Sequence, residues 1–150
     1  MGKIKSSILI AAALVLIASA YGFNYPAKLF VPLKDSLKGG ASGEATVERF
    51  DRSPGLRILG VTVYRLKPLS TYSVWLANDE PQREIKAAGI EVNHFRTDGS
   101  GNGRYVTTVS EYELDHWRFI EVNLHPYGDP RNTKDMVINL RGDLKYGAHS

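Results

Sequence analysis

The chain has no cysteine. That absence excludes thiol nucleophiles, disulfide staples, thiolate metal sites and a lipid-modified cysteine after a leader. The histidines, His94, His116, His125 and His149, show no H-x-H or H-x-x-x-H spacing, so a metal site would have to assemble from distant elements. No G-x-S-x-G elbow and no recognisable Ser, His and Asp pattern is present, and acidic pairs such as Glu111 and Glu113 read as solvated charge beside turns. Strong net charge is also lacking. The formal +3 includes Lys3 and Lys5, and without them 17 basic face 16 acidic residues. The basic residues are scattered, which argues against a nucleic-acid partner.

What is present begins with "MGKIKSSILIAAALVLIASAYG": two lysines, an apolar run from Ile8 to Ala18, then Ala18-Ser19-Ala20. This is the order of a secretory signal peptide with an A-x-A cleavage pattern before Tyr21. The run is shorter than the roughly 20 residues of a spanning helix. Residues 1–20 are therefore expected to be a signal peptide, the alternative being an uncleaved anchor helix, and the protein is expected to be exported, either secreted or membrane-tethered. At 150 residues, 43% hydrophobic and 23% charged, the remainder suits one folded domain and not a disordered chain.

Residues 21–43, with Pro26, Pro32, Gly39, Gly40 and Gly43, read as a spacer with room for a short edge strand around Leu29 to Leu33. From Glu44 the pattern alternates with period two between turn signals. "EATVERF", "LRILGVTVYRL", "TYSVWLAN", "IEVNHFRT", "GRYVTTV", "WRFIEVNLH" and "DMVINLRGDL" are the strands, and "DEPQREIKAAG" is a loop with a helical turn or short strand. No helix of regular length is expected after the leader. The expectation is an all-β fold, an antiparallel immunoglobulin-like β-sandwich of about seven strands over 44–146 with a tail at 147–150; a small barrel is the alternative. Trp75 is expected in the core, as on the third strand of such a sandwich.

"TDGSGNG", Thr97 to Gly103, reproduces the start of a calcium loop through Asp98, Ser100 and Asn102. The bidentate glutamate is missing, since its position falls near Val109, and no helix is expected on either side. An EF-hand is excluded, and a β-hairpin turn is the simpler reading because Asp-Gly and Asn-Gly tolerate positive φ. Strand parity places "KPLS", "TDGSGNG" and "HPYGDPRN" on one rim, bringing Asp98, Ser100 and Asn102 towards His125, Asp129, Asn132 and Asp135. A looser calcium site made by Asp98, Ser100, Asn102 and Asp129 is the candidate metal site; no catalytic or cofactor-binding residue is indicated. The tripeptide Arg141-Gly142-Asp143 matches an adhesion motif but falls near a strand end.

"LKPLSTYSVWLAN" and "VNHFRTDGSGNGRYVTTV" resemble small extracytoplasmic β-sandwich modules, including the C-terminal domains of anti-sigma-K-type regulators and, more loosely, CHRD domains. The resemblance covers about a third of the chain and implies fold and compartment. The His and Cys metal-type residues of the regulators' cytoplasmic domain have no counterpart here, so neither sigma-factor binding nor any catalytic residue is carried over. Together these readings predict a non-enzymatic binding or structural module of the cell envelope, with an envelope protein or glycan as partner. The alternatives are a hydrolase or metal-assisted enzyme on the loop rim, or a calcium-stabilised adhesion or carbohydrate-binding module.

Overall fold

The computed structural model describes residues 26–90 and 92–145. The leader or anchor expected over 1–20 and the tail at 147–150 lie outside them. Nine strands follow in order: β1 (Lys28–Asp35), β2 (Ser42–Arg49), β3 (Leu56–Tyr64), β4 (Thr71–Asn78), β5 (Glu84–Ala87), β6 (His94–Arg96), β7 (Gly103–Ser110), β8 (Phe119–His125) and β9 (Val137–Asp143). A short helix, α1 (Glu111–His116), lies between β7 and β8. The fold is all-β. No helix among the described residues is long and apolar enough to cross a membrane.

All strand pairs are antiparallel, in the order β5-β4-β8-β9-β1-β2-β3-β7, with β6 also on β4. β5 and β6 lie end to end along one side of β4, pairing with Trp75 to Asn78 and with Thr71 to Ser73 respectively. The sheet curls into a half-barrel around Val31, Leu33, Val47, Leu59, Val61, Val63, Tyr72, Val74, Leu76, Ile120, Val122 and Leu140, all buried. Period-two alternation sends these side chains inward and their neighbours outward. The β3 alternation appears directly, with Leu59, Val61 and Val63 buried and Tyr64 exposed.

The stretch read as a spacer holds an interior strand. β1 pairs with β2 along its length and with β9 through Lys34↔Arg141 and Asp35↔Leu140 alone. Ser36 N–H donates to Asn139 O (2.8 Å), so by antiparallel alternation the next ladder donors on β1 are Lys34 and then Pro32. Proline has no N–H, and the ladder stops there. The hydrogen-bonded sheet is thus nearly divided into two flanks, β4, β5, β6, β8 and β9 on one side and β1, β2, β3 and β7 on the other.

Side chains, not a ladder, bridge the seam where the curl brings the sheet's ends together. Tyr72, Phe95 and Tyr105 stack in series at centroid distances of 6.0 and 6.5 Å. The Tyr105 hydroxyl lies within hydrogen-bonding distance of the Ala88 (2.6 Å) and Val92 (2.8 Å) carbonyls, to one of which its single proton goes, and Lys86 pairs with Glu113. Burial raises the pKa of both tyrosines, which keeps them protonated as donors.

Three further local readings change. α1 replaces a turn: Ser110 caps the Glu113 amide (3.0 Å) while the Glu113 carboxylate accepts from the Ser110 amide (3.3 Å), the S-x-x-E capping box. Glu111 is not simply solvated, since it binds the buried Arg57 guanidinium at 2.7 Å. Trp117 belongs to the core, whereas Trp75 is half-buried on the outer face, where its position on β4 puts it beside Glu121 of β8.

Candidate functional site

The three loops expected on one rim do share an end of the sheet. Thr71 opens β4 and pairs with Arg96 near the end of β6 and with His125 at the end of β8. The β3–β4 loop is bonded directly to the β6–β7 turn: Leu66 N–H to Gly101 O (2.9 Å), Leu69 N–H to Asp98 O (3.1 Å) and Thr97 N–H to Ser70 O (3.0 Å). Buried Thr97 Oγ1 donates to Lys67 O (2.6 Å) and accepts from Ser70 N–H (3.0 Å).

Within "TDGSGNG", Asp98 Oδ1 accepts from the Ser100 and Asn102 amides, each at 2.9 Å, and Asn102 Oδ1 accepts from the Arg65 amide at 3.3 Å. Gly101 has φ +78°, and a Cβ there would run into the Leu66 carbonyl. Asp98, Ser100 and Asn102 thus share one turn. Asp129 lies in the β8–β9 loop, where its Oδ1 accepts from the Arg131 amide (2.9 Å) and Nε (3.3 Å). The Arg131 amide is the main cause holding Asp129 below the ordinary carboxylate value. No hydrogen bond joins Asp98 to Asp129 among the described residues, and no group of three or more His, Cys, Asp or Glu there could hold a metal ion.

Behind the β8–β9 loop lies a buried polar chain. His125 Nδ1 is 3.2 Å from Asn132 O, and its Nε2 is 2.6 Å from Ser73 Oγ. A carbonyl only accepts, so Nδ1 carries a proton, and in the neutral imidazole Nε2 accepts from the Ser73 hydroxyl. Trp75 Nε1–H in turn donates to Ser73 Oγ at 2.6 Å. Serine and histidine in this relation are the groups of acyl-transfer chemistry, but Ser73 is 0% exposed and its oxygen already faces an indole donor. The arrangement pins the base of the loop to β4. Turns at Gly128 N–H to His125 O (3.0 Å) and Asn132 N–H to Asp129 O (3.1 Å), with Asn132 Nδ2–H to Asp135 Oδ2 (2.8 Å), fix the rest.

The loop so held lines an open depression of about 610 Å³ with His94, Tyr127, Gly128, Asp129, Pro130 and Arg131. Tyr127 is 81% exposed. Asp98 and His125 are not among its lining residues. The sequence signal for it was the two prolines and the glycine of "HPYGDPRN"; the pairing of Ser73 with His125, 52 residues apart, left no local trace.

A second feature occupies the outer face. Glu121, 0% exposed, takes a two-pronged contact from Arg83 (3.1 and 2.8 Å) and lies 3.4 Å from Arg141 Nε. Arg141 also binds Asp79 (2.7 Å) and stacks 3.7 Å over the Phe119 ring. The Arg141 hydrogen bond is the main cause lowering the Asp79 pKa, and the Glu121 bond the main cause raising that of Arg83. The Arg-Gly-Asp tripeptide therefore lies in β9 with its charges engaged, Asp143 contacting Arg118 at 3.3 Å. Beside it, where Pro32 ends the β1–β9 ladder, opens a cleft of about 330 Å³ bounded by Lys34, Asp35, Phe119 and Arg141. Asp35 there accepts from the Leu37 and Ala41 amides, and Arg141 and Asp143 pair with Asp79 and Arg118 outside the cleft.

No protein-family model matches the chain, and no curated protein or solved structure is significantly similar to it.

Proposed function

We propose that the protein is an exported binding or structural module of the cell envelope, working through the loop rim and not through catalysis. The observation that supports this most directly is the engagement of the reactive groups. Ser73 and His125 are sealed inside, Asp98 and Asp129 bond to their own loops, and the accessible part of the rim is shallow. An enzyme would instead bring convergent polar groups to a concave, partly desolvated site. We read the two flanks of the half-barrel as counterparts of the two layers of an immunoglobulin-like sandwich, joined through the short β1–β9 ladder. Export rests on the leader, and the resemblance to extracytoplasmic modules agrees with it.

Fractionation tests both parts. The protein recovered outside the cytoplasmic membrane should begin at Tyr21 by mass spectrometry, or at Met1 if it stays anchored. Its retention on isolated envelope should weaken when Tyr127 and Arg131 are replaced together by alanine. Full-length protein confined to the cytoplasm would overturn the export reading. Retention indifferent to the double substitution would overturn the role of the rim.

A further inference from the structure

We infer that the depression around Tyr127 is a carbohydrate site, taking a pyranose ring of an envelope-type polysaccharide; this rests on the binding-module reading above. Three observations converge. Tyr127 is the most exposed large hydrophobic residue among those described, and burial nowhere in the domain accounts for it. An aromatic ring presented to solvent offers the flat apolar surface on which the C–H face of a pyranose stacks.

The polar groups beside the ring suit hydroxyls. Asp129 Oδ1 is occupied by the Arg131 amide and Nε, while no bond is recorded to its Oδ2 or to the Arg131 terminal nitrogens among the described residues. An acceptor and a donor fork therefore stand side by side, the arrangement that adjacent hydroxyls, each both donor and acceptor, can satisfy at once. A simple anion would meet the Asp129 charge, and a purely apolar ligand would strand both polar groups. His94 borders the same depression from β6.

The platform is also held in place before any ligand arrives. His125, locked between Ser73 and Asn132, and the turns closing at Gly128 and Asn132 fix the loop's backbone. The backbone's share of the ordering cost on binding is correspondingly small. This gives the buried Ser73–His125 pair a purpose: it positions the loop that carries the ring.

The test is an amide-resolved NMR titration of the purified full-length protein with cellotetraose and with chitotetraose, inorganic phosphate serving as the anion control. Saturable shifts at His94 and Tyr127 to Arg131 with at least one sugar and not with phosphate are expected. Tyr127→Ala should weaken that binding by about tenfold and Tyr127→Trp should retain it. Arg131→Ala should weaken it as well, with an unchanged melting temperature showing that the fold is intact. Absence of shifts with both sugars, or an equal response to phosphate, overturns the inference. Should envelope retention still depend on Tyr127 and Arg131 in that case, the rim remains the binding surface and only the ligand class falls.

Discussion

Ser73 Oγ and His125 Nε2 stand 2.6 Å apart on adjacent strands, with Trp75 Nε1 completing the contact to the serine oxygen. Ser73→Ala would leave a buried imidazole nitrogen and an indole N–H without their partner, at a cost of about 1–3 kcal/mol. The expected result in urea unfolding is a lower midpoint with an unchanged slope. Limited proteolysis should locate new cleavage between Tyr127 and Asn132. An unchanged midpoint would mean that the pair does not anchor the loop.

The glycines of "TDGSGNG" should matter more than its carboxylate. A Cβ at Gly103 would sit 2.6 Å from the Phe95 ring, inside the stack that spans the seam. Gly103→Val is expected to destabilise by about 1–3 kcal/mol through overpacking. Asp98→Ala loses two exposed amide contacts and should cost about 1 kcal/mol or less. Melts with calcium and with chelator should coincide; a calcium-dependent rise lost in Asp98→Ala would establish the ion site.

Glu121 is a buried carboxylate whose main partner is Arg83. Arg83→Ala leaves that charge poorly paired and should cost about 2 kcal/mol, whereas Arg83→Ala combined with Glu121→Leu should recover most of the loss. A double variant as unstable as the single one would show that the network contributes through geometry and not through charge compensation.

The acid limb of stability carries a definite sign. Asp35 and Asp79 titrate below the ordinary 3.8, Asp35 chiefly through the Leu37 amide and Asp79 chiefly through Arg141. A depressed folded-state pKa contributes stability above the unfolded value, and that stability is lost as pH falls through the folded value. Unfolding free energy should therefore decline below about pH 4, and Asp79→Asn should flatten part of that decline. Identical acid slopes for the two proteins would remove Asp79 from the account.

Most of the strands and the turns between them are legible in the sequence, because both are written in short-range terms. Alternation over Leu59, Val61 and Val63 sets a face, and Asp98 followed by Gly99 and Gly101 sets a reversal. The capping box at Ser110 and Glu113 was equally local, yet the strand-like neighbours on both sides hid a six-residue helix. Other features depend on long-range packing. Pro32 in a proline- and glycine-marked stretch suggests a spacer until Val31 and Leu33 are seen filling the core between two other strands. Which aromatic ring closes the seam, which arginine neutralises Glu121, and why Ser73 faces His125 depend on strand order. Strand order is fixed by how the whole apolar surface is buried at once, a long-range condition that no window of residues contains.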